Sequence, residues 1–243
     1  MTPTEALGKL YLIPTLLGGE DVSRCVPEYN RSIICGLSHF VVEEIRSARR
    51  FLRKIDASFP IDSCSFQELN EHTVTLDSQS LLQPVYEGHS IGLLSEAGLP
   101  CVADPGANLV AAAHDRNIRV IPLMGASSIF AALMASGLSG QHFRFHGYLP
   151  KEKDEMVRKI RQMENESAKE ASAQLFIETP YKNQALWDLL LETCQNETRL
   201  CVAAGITLEG EYIVTKSVRD WKKTVRPNIH KQPALFIIQR SFI

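Results

Sequence analysis

Between Lys9 and Gln239, short apolar runs alternate with stretches whose apolar residues recur at helical spacing. KLYLIPTL (Lys9 to Leu16), SIGLL (Ser90 to Leu94), IRVIPL (Ile118 to Leu123), QLFIE (Gln174 to Glu178) and PALFIIQ near the end read as buried strands. A strand followed by a helix rejoins its sheet through a crossover, so the pattern demands a layered α/β fold with parallel strands.

SIICGL (Ser32 to Leu37) is a second short apolar run, and Val42 to Lys54 has helical spacing. CSFQEL (Cys64 to Leu69) is a strand candidate. Asp77 is positioned to cap a helix from Ser78 to Glu87, ended by Gly88. Further helices are expected over Ala107 to Asn117 and from Ser127 or Ser128 to Gly137.

After FRFHGYLP the texture changes. Lys151 to Glu170 is densely charged and reads as an exposed helix with a frayed end, and Pro180 suits the first turn of a helix running to Cys194. LCVAAGI and EYIVTK have no helix between them, which suggests an antiparallel pair, and Ser217 to Val225 reads as a short helix. The expectation is two α/β domains, 1–121 with a parallel sheet and 122–243 with a mixed one.

The formal net charge of -2 and the pI near 6.4 leave polyanion binding to local patches. No apolar run is long enough to span a bilayer, and MTPTEALGKLYLIP lacks a basic segment followed by an apolar one, so a cytoplasmic location is expected. The six cysteines form no CxxC pair; reduced, buried thiols are the expectation. His142 and His146 flank FRF, which alternates like a strand, and no metal site is expected.

In open α/β sheets ligands bind beyond the carboxyl ends of the strands. That places SEAGLPCVADPG, Ser95 to Gly106, at the ligand edge, with MGASS after Leu123 close by. Glycines allow close approach of backbone to a ligand. GxGxxG, GxxxxGK[ST] and GxSxG are all absent, so neither a dinucleotide nor a nucleoside triphosphate is indicated. An acidic loop suits a ligand carrying positive charge, such as a sulfonium.

These segments carry a resemblance. SEAGLPCVADPG is similar to the S-D-A-G-T-P-x-x-x-D-P-G signature of the 16S ribosomal RNA cytidine 2'-O-ribose methyltransferases, within the tetrapyrrole methylase superfamily. LYLIPTLLG, VEEIR (Val42 to Arg46), VIPLMGASS, GYLPK and FIETPYK resemble other motifs of that family in order and spacing.

The resemblance implies a class III methyltransferase fold: two α/β domains with S-adenosylmethionine in the cleft between them, usually as a homodimer. It implies cofactor contacts from Ser95, Glu96, Ala97, Gly98, Leu99 and Pro100, from Gly125, Ser127 and Ser128, and from Thr179 and Pro180. The expected activity is methyl transfer to a ribose hydroxyl of small-subunit ribosomal RNA.

Two segments depart from the family pattern. The turn after the first strand, PTLLGGE, is longer and reaches Glu20. AGITLEGE, Ala204 to Glu211, keeps Thr207 and Glu211 of a charged family motif but not its Arg, Lys and neighbouring Glu. These losses leave open a tetrapyrrole or other small-molecule acceptor, or a cofactor-binding module without catalysis.

A ribose hydroxyl is a poor nucleophile and benefits from a base. Glu44 and Glu178 are the leading carboxylates, with Glu209 behind them, and Arg46 is the family-matched residue nearest the acceptor. RNA could be held by a stripe of Arg46, Arg49, Arg50, Arg53 and Lys54. A second basic run comprises Lys216, Arg219, Lys222, Lys223, Arg226 and Lys231, opposed in the nearby sequence only by Asp220.

Overall fold

KLYLI, Lys9–Ile13, forms strand β1. Pro14, with no N–H to give a neighbouring strand, ends it short of the expected Leu16. In the computed structural model, which describes residues 7–69 and 78–240, the chain divides into two units, Met1–Ser127 and Ser128–Ile243.

The first unit continues with α1 (Glu28–Cys35), β2 (His39–Val42), α2 (Ile45–Ile55), β3 (Ser65–Glu68), α3 (Ser78–Leu81) and α4 (Gln83–Tyr86). It closes with β4 (Ile91–Leu94), α5 (Ala107–Asp115) and β5 (Arg119–Pro122). All strands are parallel, in the order β3-β2-β4-β1-β5.

Side chains alternate across this sheet. Ile13, Phe40 and Val42 pack on one face with Phe51 and Leu52 of α2, while Leu10, Val41 and Leu93 pack on the other with Leu109 and Ala113 of α5. Burial on both faces is what a parallel sheet requires.

The structure corrects several expectations. SIICGL is not a strand: Ser32 to Cys35 end helix α1, and Ile34 faces the core while Cys35 is exposed. HFVV, unassigned in the sequence reading, is β2. Val42 therefore belongs to a strand, and α2 begins only after the Glu44 cap. The expected helix Ser78 to Glu87 is broken at Leu82, before Pro84. Its proposed cap, Asp77, lies outside the described residues.

The second unit runs α6 (Ser128–Ser136), β6 (Phe143–Tyr148), α7 (Lys153–Glu170), β7 (Ala173–Ile177), α8 (Asn183–Thr193) and β8 (Arg199–Ala204). β9 (Tyr212–Ser217), α9 (Val218–Trp221) and β10 (Ala234–Gln239) follow. The sheet order is β6-β7-β10-β8-β9, parallel between β6 and β7 and antiparallel elsewhere, including the expected β8–β9 pair.

Helix α7 is neither frayed nor wholly exposed. Met156, Ile160 and Met163 bury one face, and Ala171 closes the end in a left-handed conformation. Pro180 is not in the first turn of α8. It lies in a turn closed by the Lys182 N–H donating to the Thr179 carbonyl at 2.9 Å, and the helix starts at Asn183.

Candidate active site

Because the first sheet is parallel, the carboxyl ends of β1, β2, β4 and β5 lie along one edge. The segments leaving them carry the sequence motifs, and hydrogen bonds tie them together. The Gly98 carbonyl accepts the Thr15 N–H at 2.9 Å and the Ser95 hydroxyl at 2.7 Å. The buried Asn30 of α1 donates its amide N–H to the Met124 carbonyl at 2.7 Å, holding the loop after β5.

The glycines in these loops answer to the protein's own packing. Gly98 has φ +79°, and a Cβ there would sit 3.1 Å from Leu17 Cδ2 and 3.4 Å from the Ala126 carbonyl oxygen. At Gly125 a Cβ would lie 2.4 Å from Pro14 Cβ. Side chains are thus excluded where the loops after β1, β4 and β5 meet.

Glu44 is the N-cap of α2. Its Oε1 accepts the Arg46 N–H at 2.7 Å and its Oε2 the Ser47 N–H at 2.8 Å. The hydrogen bond from the Arg46 N–H, foremost among several, holds its pKa below the ordinary carboxylate value. Both oxygens are engaged, so this carboxylate is built to orient a helix rather than to take a proton. The same helix end reaches the glycine loop: Ser47 Oγ donates to Glu96 Oε1 at 2.5 Å. Arg46 itself is exposed in the first turn.

A cavity of about 600 Å³ opens here, lined by Thr15 to Glu20, by α2 from Ser47 to Lys54 without Leu52, and by Ser95 to Ala97. Lys54 bridges across it, donating to the Gly19 carbonyl at 3.2 Å and pairing with Glu20 at 2.9 Å. The long turn PTLLGGE is therefore anchored to the basic helix.

Further along the opening loop the backbone is unusual. Cys101 and Ala103 have φ of 66° and 63°, and Gly106 has φ 125° with Leu93 Cδ2 only 2.8 Å from a hypothetical Cβ. Asp104 sits in this segment with its Oδ2 buried and unpartnered. Burial, reinforced by the charges of Glu43 and Glu96, pushes its pKa up to about 6.

In the second unit, Ser128 opens α6, and Glu178 and Thr179 follow β7. Glu178 is buried, and its Oε1 accepts the Thr179 N–H at 2.6 Å. The Pro180 carbonyl accepts the Lys231 N–H at 3.1 Å. In the altered AGITLEGE segment the two retained residues meet, the Thr207 N–H donating to Glu211 Oε2 at 2.8 Å.

The structure thus gathers Ser95 to Pro100, Gly125 and Ser127 in the first unit, with Glu44 and Arg46 joined to them through Ser47. Ser128, Glu178, Thr179 and Pro180 belong to the second. Thr15, Asn30, Ser47 and Asp104 were missed by sequence reasoning, and Lys54, read there only as part of the basic stripe, lines the cavity. Of these, Ser47 had a signal: it stands three residues after Glu44, in the spacing of a helix cap and its first turn.

The basic patches are less uniform than their sequence suggests. Arg49 stacks over Phe66 at 5.3 Å, and Arg53 donates to the Ala57 carbonyl at 2.8 Å. In the tail, Arg226 pairs with Asp188 at 2.8 Å, Arg219 with Glu197, and Lys223 with Asp220 at 3.9 Å. Glu197 and Asp188, distant in sequence, and the neighbouring Asp220 pair with three of the six basic residues, so the run is less free a cationic surface than expected. His146 Nε2 lies 2.6 Å from Gln174 Oε1. Among the described residues, no group of three or more His, Cys, Asp or Glu could hold a metal, and no helix is long and apolar enough to cross a membrane.

The donor set suits a sulfonium nucleoside: hydroxyls of Thr15 and Ser95, the Glu96 carboxylate, and glycine backbone. Compared with known proteins, residues 19–221 match the family described as Tetrapyrrole (Corrin/Porphyrin) Methylases. A Halalkalibacterium halodurans protein named Ribosomal RNA small subunit methyltransferase I is 32% identical over 197 residues, 80% of this chain and 63% of that protein. The Synechocystis protein of the same name is 32% identical over 203 residues, 83% of this chain and 68% of that one. The chain therefore spans about two thirds of the length of these relatives.

Two solved structures share the fold. The methyltransferase CobJ superposes with TM-score 0.62 at 17% identity, covering 96% of this chain and 94% of that one. Uroporphyrin-III-C-methyltransferase from Thermus thermophilus gives TM-score 0.55 at 18% identity, covering 96% and 92%. With its two α/β sheets and its loop motifs matched over most of its length, the chain belongs to the tetrapyrrole (corrin/porphyrin) methylase family.

Proposed function

We propose that this chain is an S-adenosylmethionine-dependent methyltransferase acting on small-subunit ribosomal RNA, at a ribose 2'-hydroxyl. The observation that carries the reading is the first-unit cavity, where the basic helix α2 faces the glycine loop that the resemblance assigns to the cofactor. The names of the relatives support RNA as the acceptor.

When bound, the cofactor supplies an activated methyl group on a sulfonium. The chain's own task is then positioning, which is worth on the order of 7–11 kcal/mol at best. Ser95 to Pro100, Gly125 and Ser127 are the first unit's proposed cofactor residues, and Ser128, Thr179 and Pro180 those of the second. Glu96, held by Ser47, offers the carboxylate that balances positive charge. Arg46 is proposed to hold the acceptor's phosphate, with Glu44 fixing the helix that carries it. Glu178 is proposed to receive the hydroxyl proton, since the engaged oxygens of Glu44 leave it the better carboxylate.

The reading implies a cytoplasmic enzyme, and the resemblance implies a homodimer. Exposed Phe130, Met134 and Phe143 in the second unit support self-association. The deciding experiment is mass spectrometry of ribosomal RNA from cells with and without the gene. A ribose methyl that disappears with the gene is the expected result. Identical RNA would overturn the reading in favour of a small-molecule acceptor.

A further inference from the structure

A second cavity, of about 440 Å³, lies within the second unit alone. Its apolar floor is Met156 of α7 with Leu186 and Leu189 of α8, all buried. Lys151, Lys153 and Lys182 stand at its rim, exposed. Among the described residues none of these three forms an ion pair, in contrast to Arg219, Lys223 and Arg226 of the same unit.

Three acids also line the cavity, and one of them is taken up by an ion pair. Asp188 is taken by Arg226 at 2.8 Å, and Glu178 has one oxygen on the Thr179 N–H. Glu192 remains on the lining, and Glu152 and Asp154 alternate with the lysines in sequence. Glu155, next along, turns to Arg158 at 3.8 Å. With Asp188 paired to Arg226, the three ammonium groups outnumber the two remaining carboxylates of the lining, Glu178 and Glu192, and the surplus favours an added anion. An apolar floor beneath them suits the flat face of a base.

We propose that this cavity binds a nucleotide of single-stranded RNA, its phosphates on Lys151, Lys153 and Lys182 and its base against Met156, Leu186 and Leu189. The assignment rests on RNA being the substrate. It extends that reading, because Glu178, proposed above to receive the hydroxyl proton, also lines this cavity.

The test is a titration of labelled single-stranded RNA, with fluorescence anisotropy read at several salt concentrations. It compares the unaltered protein, the Lys151→Ala/Lys153→Ala/Lys182→Ala variant, and the corresponding triple arginine variant. Losing the two phosphates that flank the bound nucleotide should reduce the log–log salt slope by about 1.4, so that between 50 and 200 mM salt the variant's affinity falls roughly 7-fold less than that of the unaltered protein. The arginine variant should restore the slope, and calorimetry should show S-adenosylmethionine affinity unchanged in all three proteins.

Equal slopes for the alanine variant and the unaltered protein would overturn this inference and leave the proposed function standing. An alanine variant impaired only toward intact small ribosomal subunits, and not toward naked RNA, would also overturn it, because the cavity would then dock a ribosomal protein. Failure of the unaltered protein to bind any RNA would overturn both readings.

Discussion

Thr15 and Ser95 share one acceptor. The Gly98 carbonyl takes the backbone N–H of the first and the hydroxyl of the second, and their two hydroxyl oxygens lie 3.3 Å apart. Two loops from adjacent strands are thereby fixed to each other before any ligand arrives. Preorganisation of this kind lowers the ordering cost of binding.

Gly98→Ala should therefore act on stability as well as on binding. An alanine at φ +79° is held in the left-handed region, and its Cβ presses on Leu17 at 3.1 Å. The expected loss is about 1–2 kcal/mol in urea denaturation, accompanied by weaker S-adenosylmethionine binding in calorimetry. An unchanged midpoint would show that the loop can relax away from Thr15.

Asp104 should make stability fall as pH rises. Its folded pKa of about 6 lies above the ordinary 3.8, so the folded state holds the proton more tightly than the unfolded chain. Stability is then fully present below pH 3.8 and declines as pH passes through 6. Asp104→Asn should be more stable than the parent at pH 7.5, by about 1 kcal/mol once solvent screening of this half-buried group is allowed for. The gap should close under acid conditions, and a constant offset across the range would disprove the assignment.

Glu44 should show the opposite dependence. Its carboxylate is held below the ordinary 4.5 by the backbone N–H groups of Arg46 and Ser47. The stability it lends is present above pH 4.5 and is lost as pH falls through the lowered value. Glu44→Gln should melt earlier than the parent at neutral pH and match it in strong acid. A neutral-pH melting temperature equal to the parent's would remove the cap from the account of α2.

Within the arginine stripe, Arg50 should matter more for RNA than Arg53, whose guanidinium already donates to the Ala57 carbonyl. Arg50→Ala should lower the log–log salt slope of RNA binding by about 0.7, the value for one phosphate contact on a single strand. Arg53→Ala should leave that slope nearly unchanged and lower the melting temperature instead. The reverse ranking would mean that RNA displaces the Ala57 contact.

Alternation of apolar runs made the layered fold legible, and β8 with β9 could be read as antiparallel because only Gly205 to Glu211 connect them. β2 escaped notice because HFVV is short and ends just before the cap of α2, so Val42 counted equally well toward helical spacing. SIICGL misled for a related reason: Ile33 and Ile34 are adjacent, but Ile34 alone is fully buried while Cys35 faces out. The glycine loops were legible as motifs, whereas the contacts that shape them were not. Ser47 and Glu96, or Thr15 and Gly98, are brought together by strand order, which a single sequence does not display.

Strand β10 lies in the middle of its sheet, bonded to β7 on one side and β8 on the other. This fixes an order of events during synthesis. All five strands of the first sheet have been made once Pro122 is added, but the second cannot close until residues 234–239 leave the ribosome. The first unit gains a head start on the order of ten seconds at ordinary translation rates. Until then β7 and β8 each present an unpaired edge, so a message broken before Ala234 yields a chain whose first half is complete and whose second half invites aggregation.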